Sequence, residues 1–217
     1  MADPGLNQLL KWGVENSEAS RTDGTSENDP KAVRDPSRGF NQEMLAALLG
    51  GHTDADRMRE AMTAILSPDV TVDDKVTAFD NFEQLIENLD NANNMESLGL
   101  WMPLVQQLDN EEAELRRMAA WCVGTAVQNN VKSQERLLIV GGIPKLTKMA
   151  TNDTNAAVRK KAVFALSSEV RNYQPALNEA QKALPDEFRG REDIDAGDME
   201  AVDGMMAKLR HSATKAI

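Results

Sequence analysis

A pattern of residues recurs in this chain at spacings of 41 and then 43 positions, and it limits the fold more than any other feature. Six columns of residues keep the same order and the same two spacings. Self-similarity at a period of this length is typical of repeat proteins, in which each unit is one supersecondary element. The columns are Lys75, Arg116 and Arg159; Ala78, Ala119 and Ala162; Phe79, Ala120 and Val163; Phe82, Val123 and Leu166; Ile86, Val127 and Val170; and Asn88, Asn129 and Asn172.

The apolar columns stand at relative positions 0, 1, 4 and 8, which share one face of an α-helix. A period of about 40–47 residues with two or three helices per unit is typical of armadillo and HEAT repeats. We therefore predict an all-α fold, an armadillo-type right-handed superhelical solenoid whose third helices span 74–89, 114–130 and 157–173. A further column of prolines recurs at spacings of 41 and 41, and proline fits the first turn of a helix. Its members are Pro103, Pro144 and Pro185.

The two ends of the chain differ from this central pattern. The stretch "LNQLLKWGVEN" at 6–16 has an apolar helical stripe, and 17–39 is rich in Ser, Asp, Gly and Pro, as flexible linkers are. We predict a flexible N-terminal segment with a short amphipathic helix at 1–39, an armadillo-repeat solenoid at 40–175 and C-terminal capping helices at 176–217. The register is expected to loosen after 175, where an acid-capped helix covers the last repeat. Its apolar residues are Met199, Val202, Met205, Met206 and Leu209.

Composition and motifs argue against several classes of function. The formal net charge is −11 with a pI near 4.7, which disfavours nucleic acid and anionic membrane surfaces as partners. One cysteine and two distant histidines predict no disulfide framework, no metal site and no cofactor. Phosphate-binding loops, zinc-protease and nucleophile-elbow motifs are absent, so we expect a binding module and not an enzyme. The N-terminus lacks the features of a signal peptide, which predicts a protein of the cytosol or the nucleus, and we expect the cytoplasm.

Candidate binding residues lie on the third helices, opposite their apolar faces, because solenoids bind partners along such surfaces. They are Asp80, Asn81, Glu87, Arg117, Thr125, Gln128, Lys160, Ser168 and Arg171. The Asn88, Asn129 and Asn172 column is interpreted mainly as capping of its own helix ends, with ligand contact as the alternative. The column of Lys75, Arg116 and Arg159 leaves two alternatives open: pairing with acids of the preceding loop, such as Asp73 or Glu112, or a basic stripe for an acidic partner.

The three tryptophans raise separate expectations. Trp121 occupies a place in the third-helix pattern and is predicted to lie in the core. Trp101 precedes Pro103 and is expected to staple the entry of a helix. Trp12 lies before the predicted linker, so that it either docks on the solenoid or engages a partner.

Three segments resemble one known family: "LNQLLKWGVENS", "LSPDVTVDDKVTAFDNFEQLIENLDNANNMESLGLW" and "ELRRMAAWCVGTAVQNN". They are similar to the Fes-one/HspBP family of armadillo nucleotide exchange factors for 70-kDa heat-shock chaperones. The resemblance implies that the solenoid grips the chaperone's ATPase domain and promotes ADP release and client release. It also implies that the N-terminal segment mimics a client in the chaperone's peptide groove, through Leu9, Leu10 and Trp12.

The helix faces and this resemblance together give a set of expected partner-binding residues. They are Glu87, Asn88, Asn91, Ala92, Asn93, Asn94, Gln128, Asn129, Asn130, Arg159, Arg171 and Asn172. The stretch "DNANN" at 90–94 is predicted to be a turn that forms a small, polar rim for close approach of the chaperone. Ala92 is the residue chosen to test that rim.

An armadillo adaptor of the importin-alpha kind is the alternative. That class reads basic peptides with Trp-x-x-x-Asn pairs on its third helices. Here Thr125 follows Trp121 by four positions and Ser168 follows Phe164, so the Trp–Asn ladder is missing.

Overall fold

A computed structural model describes residues 51–215. Within these residues the chain forms ten α-helices and two 3₁₀ turns, and no strand. The prediction of an all-α repeat fold is therefore confirmed. The helices are α1 (Asp54–Leu66), α2 (Val72–Ile86), α3 (Leu89–Asn94), α4 (Trp101–Gln106), α5 (Ala113–Val127), α6 (Val131–Ile139), α7 (Gly142–Asn152), α8 (Ala156–Val170), α9 (Gln174–Ala183) and α10 (Met199–Ala213).

The apolar columns form a continuous core along the stack of third helices. Helix α2 packs on α5, and α5 packs on α8. All twelve apolar members of the repeated columns are buried. Burying one leucine-sized side chain stabilises a fold by about 1.5–3 kcal/mol, and no single unit could bury this face alone.

The repeat register does not loosen after 175, so that expectation is wrong. Helix α10 begins 43 residues after the start of α8 and ends 43 residues after its end. Met205, Met206, Leu209 and Ala213 are buried at the positions equivalent to Ala162, Val163, Leu166 and Val170. Helix α10 packs on α7 and α8, with Asp198 as its N-cap. Helix α10 thus covers the last repeat by packing where the third helix of a further unit would lie.

The proline column shows that the last unit lacks a full second helix. Pro103 and Pro144 stand in the first turns of α4 and α7, as predicted. Pro185 precedes only the 3₁₀ turn Asp186–Phe188, so the second helix of the last unit is reduced to a single turn. Gly141 lies in the left-handed region at φ 71°, which ends α6 before α7 begins.

The third helices are shorter than predicted, and asparagines with left-handed backbone follow the ends of two of them. They end at Ile86, Val127 and Val170, about three residues before the predicted ends. Asn129 and Asn172 adopt left-handed backbone at φ 53° and 56°, a conformation that asparagine tolerates better than most residues. These two therefore serve the helix ends, as the capping interpretation expects.

Asn88 does not belong with them. Its φ is −72°, and its side chain accepts the N–H groups of Asp90 (2.9 Å) and Asn91 (3.4 Å), so it is the N-cap of α3. The predicted turn at 90–94 is consequently wrong. Those residues form helix α3, which an Asn at its N-cap and an Asp in its first turn favour.

Candidate functional site

A row of partly exposed side chains runs across the third helices α2, α5, α8 and α10, on the side away from the core. We call it the third-helix face, and its central residues are Trp121, Phe164 and Lys161. Trp121 is only partly buried, so its predicted place inside the core is wrong. The Lys161 ammonium lies 3.9 Å from the centroid of the Trp121 ring and 5.5 Å from that of Phe164. This geometry is a cation–π contact that fixes the indole at the surface.

The electrostatics of this centre reflect its partial burial. Desolvation, followed by the nearby Arg117 guanidinium, lowers the pKa of Lys161. Glu83 lies beneath, almost fully buried, and its Oε1 accepts the Thr125 hydroxyl at 2.6 Å. The sequence analysis did not single out Glu83, because it lies between two apolar columns. An acidic residue next to an apolar helix face could have indicated a buried polar contact.

A groove of about 500 Å³ opens at the C-terminal part of the third-helix face. Its walls are the end of α5, the exposed side of α8 and the last turns of α10. Three of the expected partner-binding residues, Gln128, Asn129 and Arg171, line it together with the helix-face candidates Lys160 and Ser168. Its other lining residues are Val163, Phe164, Ser167, Arg210 and Thr214. The structure therefore brings five sequence-predicted residues into one site.

Two arginines form the charged wall of the groove. Arg171 Nε and Arg210 Nη2 each donate to the Ser167 hydroxyl at 3.3 Å. Both also reach Asp203: Arg171 through a short hydrogen bond and Arg210 at 3.6 Å. Sequence reasoning missed Arg210 and Asp203, since it treated their helix as a cap and not as a third helix.

The amide-rich stretch is mostly structural. Asn91 Nδ2 donates to Asp54 Oδ2 (3.1 Å) and to the Leu85 carbonyl (2.9 Å), which ties α3 to α1 and α2. Asn94 accepts the hydroxyl of Ser97. Ala92 is 2 % exposed in the core, so its predicted position on an exposed rim is wrong.

Three other candidates do not form part of the groove. Asn93 borders a smaller pocket of about 140 Å³ between α3 and α6. Glu87 and Asn172 are exposed at the ends of α2 and α8. Their contact role stays a prediction.

Two members of the basic column, Arg116 and Arg159, have structural roles. Arg116 pairs with Asp153 and also donates to the carbonyls of Asn110 and Glu111, at 2.8 Å each. Arg159 is fully buried (0 % exposed), where its guanidinium donates to the carbonyls of Asp153 and Lys215. The predicted partner contact of Arg159 is wrong for that reason. The alternative of pairing with an acid of the preceding loop, such as Glu112, does not hold for Arg116, whose acidic partner is Asp153.

Asn130 is buried as well. Its side chain caps α6, accepting the Ser133 N–H at 3.4 Å and donating to the Ser133 hydroxyl at 2.8 Å. It is not available at the surface for a partner. The client-mimic residues Leu9, Leu10 and Trp12 lie outside the described residues.

The described part of the chain contains no group of three or more His, Cys, Asp or Glu arranged to hold a metal ion. Among its helices, none is long and apolar enough to cross a membrane. Stacked three-helix units with a polar groove along their third helices define a helical-repeat protein, a class whose members use such surfaces to bind partners.

Comparisons with known proteins give the family. Residues 6–95 match the model "Nucleotide exchange factor Fes1", and residues 91–183 match the "SIL1/FES1/HPBP1 C-terminal domain". The chain belongs to the Fes1 family, within the wider group of SIL1, FES1 and HPBP1 proteins. A relative from Gibberella zeae, named Hsp70 nucleotide exchange factor FES1, is 54% identical over 100% of both chains.

Two further relatives carry the same name. The protein of Coccidioides immitis is 47% identical over 96% of this chain and 98% of its own length. The protein of Eremothecium gossypii is 43% identical, and the match covers 79% of this chain but only 57% of that protein. A crystal structure of an engineered protein has a TM-score of 0.55 at 16% identity, over 80% of this chain and 69% of that chain, which supports the fold alone. These relatives give no support to the adaptor alternative.

Proposed function

We propose that this protein is a nucleotide exchange factor that accelerates ADP release from a cytosolic 70-kDa heat-shock chaperone and thereby promotes client release. The observation that carries the proposal is the 54% identity, over the whole of both chains, to a protein named Hsp70 nucleotide exchange factor FES1.

The mechanism needs no covalent step. The factor binds the chaperone's ATPase domain more tightly when nucleotide is absent than when it is present. By thermodynamic linkage, binding of the exchange protein then weakens the chaperone's affinity for nucleotide by the same ratio. Nucleotide binding in turn displaces the exchange protein. A coupling of about 1–3 kcal/mol corresponds to roughly a 5–150-fold change in affinity.

The third-helix face is the proposed contact surface for the ATPase domain. It carries a partly exposed aromatic pair held by Lys161, and aromatic residues are enriched at the energetic centres of interfaces. The adjoining groove supplies amide, hydroxyl and cationic groups for directed polar contacts. The N-terminal segment, through Leu9, Leu10 and Trp12, is proposed to occupy the chaperone's peptide groove.

The exchange assay tests the activity directly. The full chain is added to a cytosolic 70-kDa chaperone preloaded with fluorescent ADP, and dissociation is followed by stopped flow with excess unlabelled ATP. We expect a dissociation rate that rises with the concentration of the factor and saturates. No acceleration over buffer at micromolar concentrations of the chain would refute the proposal.

A charge-reversal pair locates the contact surface. Lys160→Glu changes an exposed residue in the groove wall, and Lys182→Glu makes the same change at an exposed residue of α9. We expect Lys160→Glu to weaken the concentration dependence of exchange about tenfold, as a lost charged contact at an interface does, and Lys182→Glu to leave it unchanged. Equal effects of both variants would remove the groove from the contact surface.

Deletion of residues 1–39 separates the two proposed activities. Nucleotide exchange is expected to persist, because the contact with the ATPase domain lies in the repeats. Release of a labelled client from the chaperone is expected to slow. A parallel fall of both rates would contradict the proposed role of Leu9, Leu10 and Trp12.

A further inference from the structure

The groove on the third-helix face is cationic, in contrast to the chain as a whole. The chain carries a formal net charge of −11. The ten described residues that line the groove nevertheless include Lys160, Arg171 and Arg210 and no acidic residue. Such a local reversal of sign steers a negatively charged group of a partner towards this site and away from the rest of the surface.

Asp203, just outside the lining, is shared by the two arginines. Its Oδ1 accepts a hydrogen bond from Arg171 Nη2 and lies 3.6 Å from Arg210 Nη1. The neighbouring guanidinium of Arg171 lowers the pKa of Asp203, so the carboxylate is ionised at neutral pH. Its side chain is nevertheless 52 % exposed, which leaves it able to swing into solvent.

The single carboxylate of Asp203 cannot accept hydrogen bonds from all the N–H donors of two guanidinium groups. Each guanidinium has five N–H donors in a fork that suits two-pronged binding of a carboxylate. Ser167 accepts one hydrogen bond from each arginine and holds both at the groove wall, because the serine itself is 7 % exposed and cannot move freely. The pair is therefore positioned for an anion, with Asp203 as an internal occupant.

We propose that this groove binds an acidic segment on the surface of the partner protein, and that a carboxylate of that segment takes the place of Asp203 between Arg171 and Arg210. The inference rests on the proposed function in naming the partner, since the chaperone's ATPase domain would supply the acidic segment. The Phe164 ring beside Lys160 provides an apolar contact next to the charged pair, which suits a peptide side chain better than a free anion. The strongly acidic remainder of the chain disfavours nucleic acid at the same site.

The Asp203→Asn variant tests whether Asp203 competes with the partner's carboxylate or only supports the two arginines. The two roles predict opposite changes in the affinity for the chaperone. If Asp203 competes with the partner's carboxylate, the amide variant binds the full-length chaperone severalfold more tightly than the wild type. If Asp203 only supports the arginines, the variant binds more weakly or equally, and either result overturns the proposal. Thermal unfolding followed by circular dichroism checks that both proteins fold alike.

Arg210→Gln is the complementary variant. We expect it to weaken binding about tenfold at low ionic strength, because a charged interface contact is lost. It should also flatten the dependence of affinity on salt, since fewer charges remain to be screened. Arg191→Gln removes the same charge at an exposed residue outside the groove and should change neither quantity. Equal affinities of the Arg210 and Arg191 variants would overturn the inference.

An oligoglutamate peptide tests the inference without the chaperone. Titrated into the full chain at low salt, it should shift the backbone amide resonances of Ser167, Arg171 and Arg210, and the shifts should be larger for Asp203→Asn. No shift in this region, or equal shifts with oligolysine, would overturn the groove's selectivity for acidic segments. Failure of ADP release with a positive peptide titration would instead count against the proposed function alone.

Discussion

The carboxylate of Asp153 and the guanidinium of Arg116 form a two-pronged ion pair that joins neighbouring repeats. Nε lies 2.7 Å from Oδ2, and Nη2 lies 3.1 Å from Oδ1. The side chains are only 16 % and 6 % exposed for Arg116 and Asp153. The backbone carbonyl of Asp153 also accepts Arg159 Nη1 at 2.6 Å. The loop before α8 is therefore held by arginines of two successive units.

Asp153→Ala should lower the free energy of unfolding by about 3 kcal/mol, because removal of one partner leaves a mostly buried guanidinium without its counter-charge. The variant also loses the hydrogen bond from the Asn155 N–H to Oδ1 (2.9 Å), which helps to start α8. Urea unfolding followed by circular dichroism measures the change. Glu179→Ala breaks an exposed pair with Lys182 (3.6 Å) and should cost less than about 1 kcal/mol. Equal losses for the two variants would show that burial of the pair is unimportant.

Gly124 is a second point where neighbouring repeats meet closely. A Cβ atom at this position would lie 2.5 Å and 2.7 Å from two Phe164 ring carbons and 3.1 Å from the Ala165 Cα. Gly124→Ala should therefore force α5 and α8 apart and destabilise the protein by about 1–3 kcal/mol, as overpacking does. This loss would appear despite the better intrinsic helix propensity of alanine.

Gly204→Ala is the matched control, since Gly204 also lies inside a helix and a Cβ there would contact nothing within 4 Å. Alanine should stabilise this position by about 0.5–1 kcal/mol through helix propensity alone. Opposite signs for the two substitutions are expected in parallel thermal unfolding experiments. If Gly124→Ala also raises the melting temperature, the close packing of Phe164 on α5 does not contribute to stability.

The repeated core was predictable because every apolar column keeps one side-chain character at one helical position. The last unit escaped prediction for a physical reason. Methionine replaces alanine and valine in two buried columns, and Val202 stands where the preceding unit has Arg159. A comparison of residue types therefore finds no fourth unit, although the same helix positions remain buried.

The candidate site was predictable only where a residue's role is local to its own helix. Gln128, Lys160 and Arg171 project from the predicted faces and meet in the groove. Arg159 was misassigned because its burial depends on a carbonyl of Lys215, 56 positions further along the chain. Such a contact leaves no local pattern. Arg210 and Asp203 joined the site through the same long-range stacking of α10 on α8.

Ala92→Arg was attractive from sequence as a test of an exposed rim, but burial changes its expected outcome. Ala92 is 2 % exposed in helix α3 beside the fully buried Met95. A guanidinium cannot enter this core without an unpaired charge, so we expect the free energy of unfolding to fall by at least about 3 kcal/mol. Loss of helical circular dichroism on mild heating is the measurement. A variant as stable as the wild type would place Ala92 at the surface after all.

Glu169 of α8 should make the stability of this protein depend on pH in the direction opposite to that of a paired carboxylate. Its side chain is fully buried, and neither carboxyl oxygen has a hydrogen-bond partner in the part of the chain that the structure describes. Burial raises its pKa from the ordinary 4.5 to about 9. The folded protein therefore holds a proton on Glu169 at neutral pH, whereas the unfolded chain releases it.

Unfolding thus becomes easier as pH rises, because proton loss pulls the equilibrium towards the unfolded chain. The contribution of Glu169 is fully present below pH 4.5 and is lost as the pH rises through about 9. Across neutral pH the slope is about −1.4 kcal/mol per pH unit for one proton. Glu169→Gln should remove this slope in urea unfolding curves collected between pH 6.5 and 8.5, whatever its effect on stability at a single pH. Glu179→Gln changes a solvent-accessible carboxylate and should leave the slope as in the wild type. If the free energy of unfolding depends on pH in the same way for the wild type and Glu169→Gln, Glu169 is ionised in the folded protein. That result would contradict the prediction of a protonated Glu169 in the core.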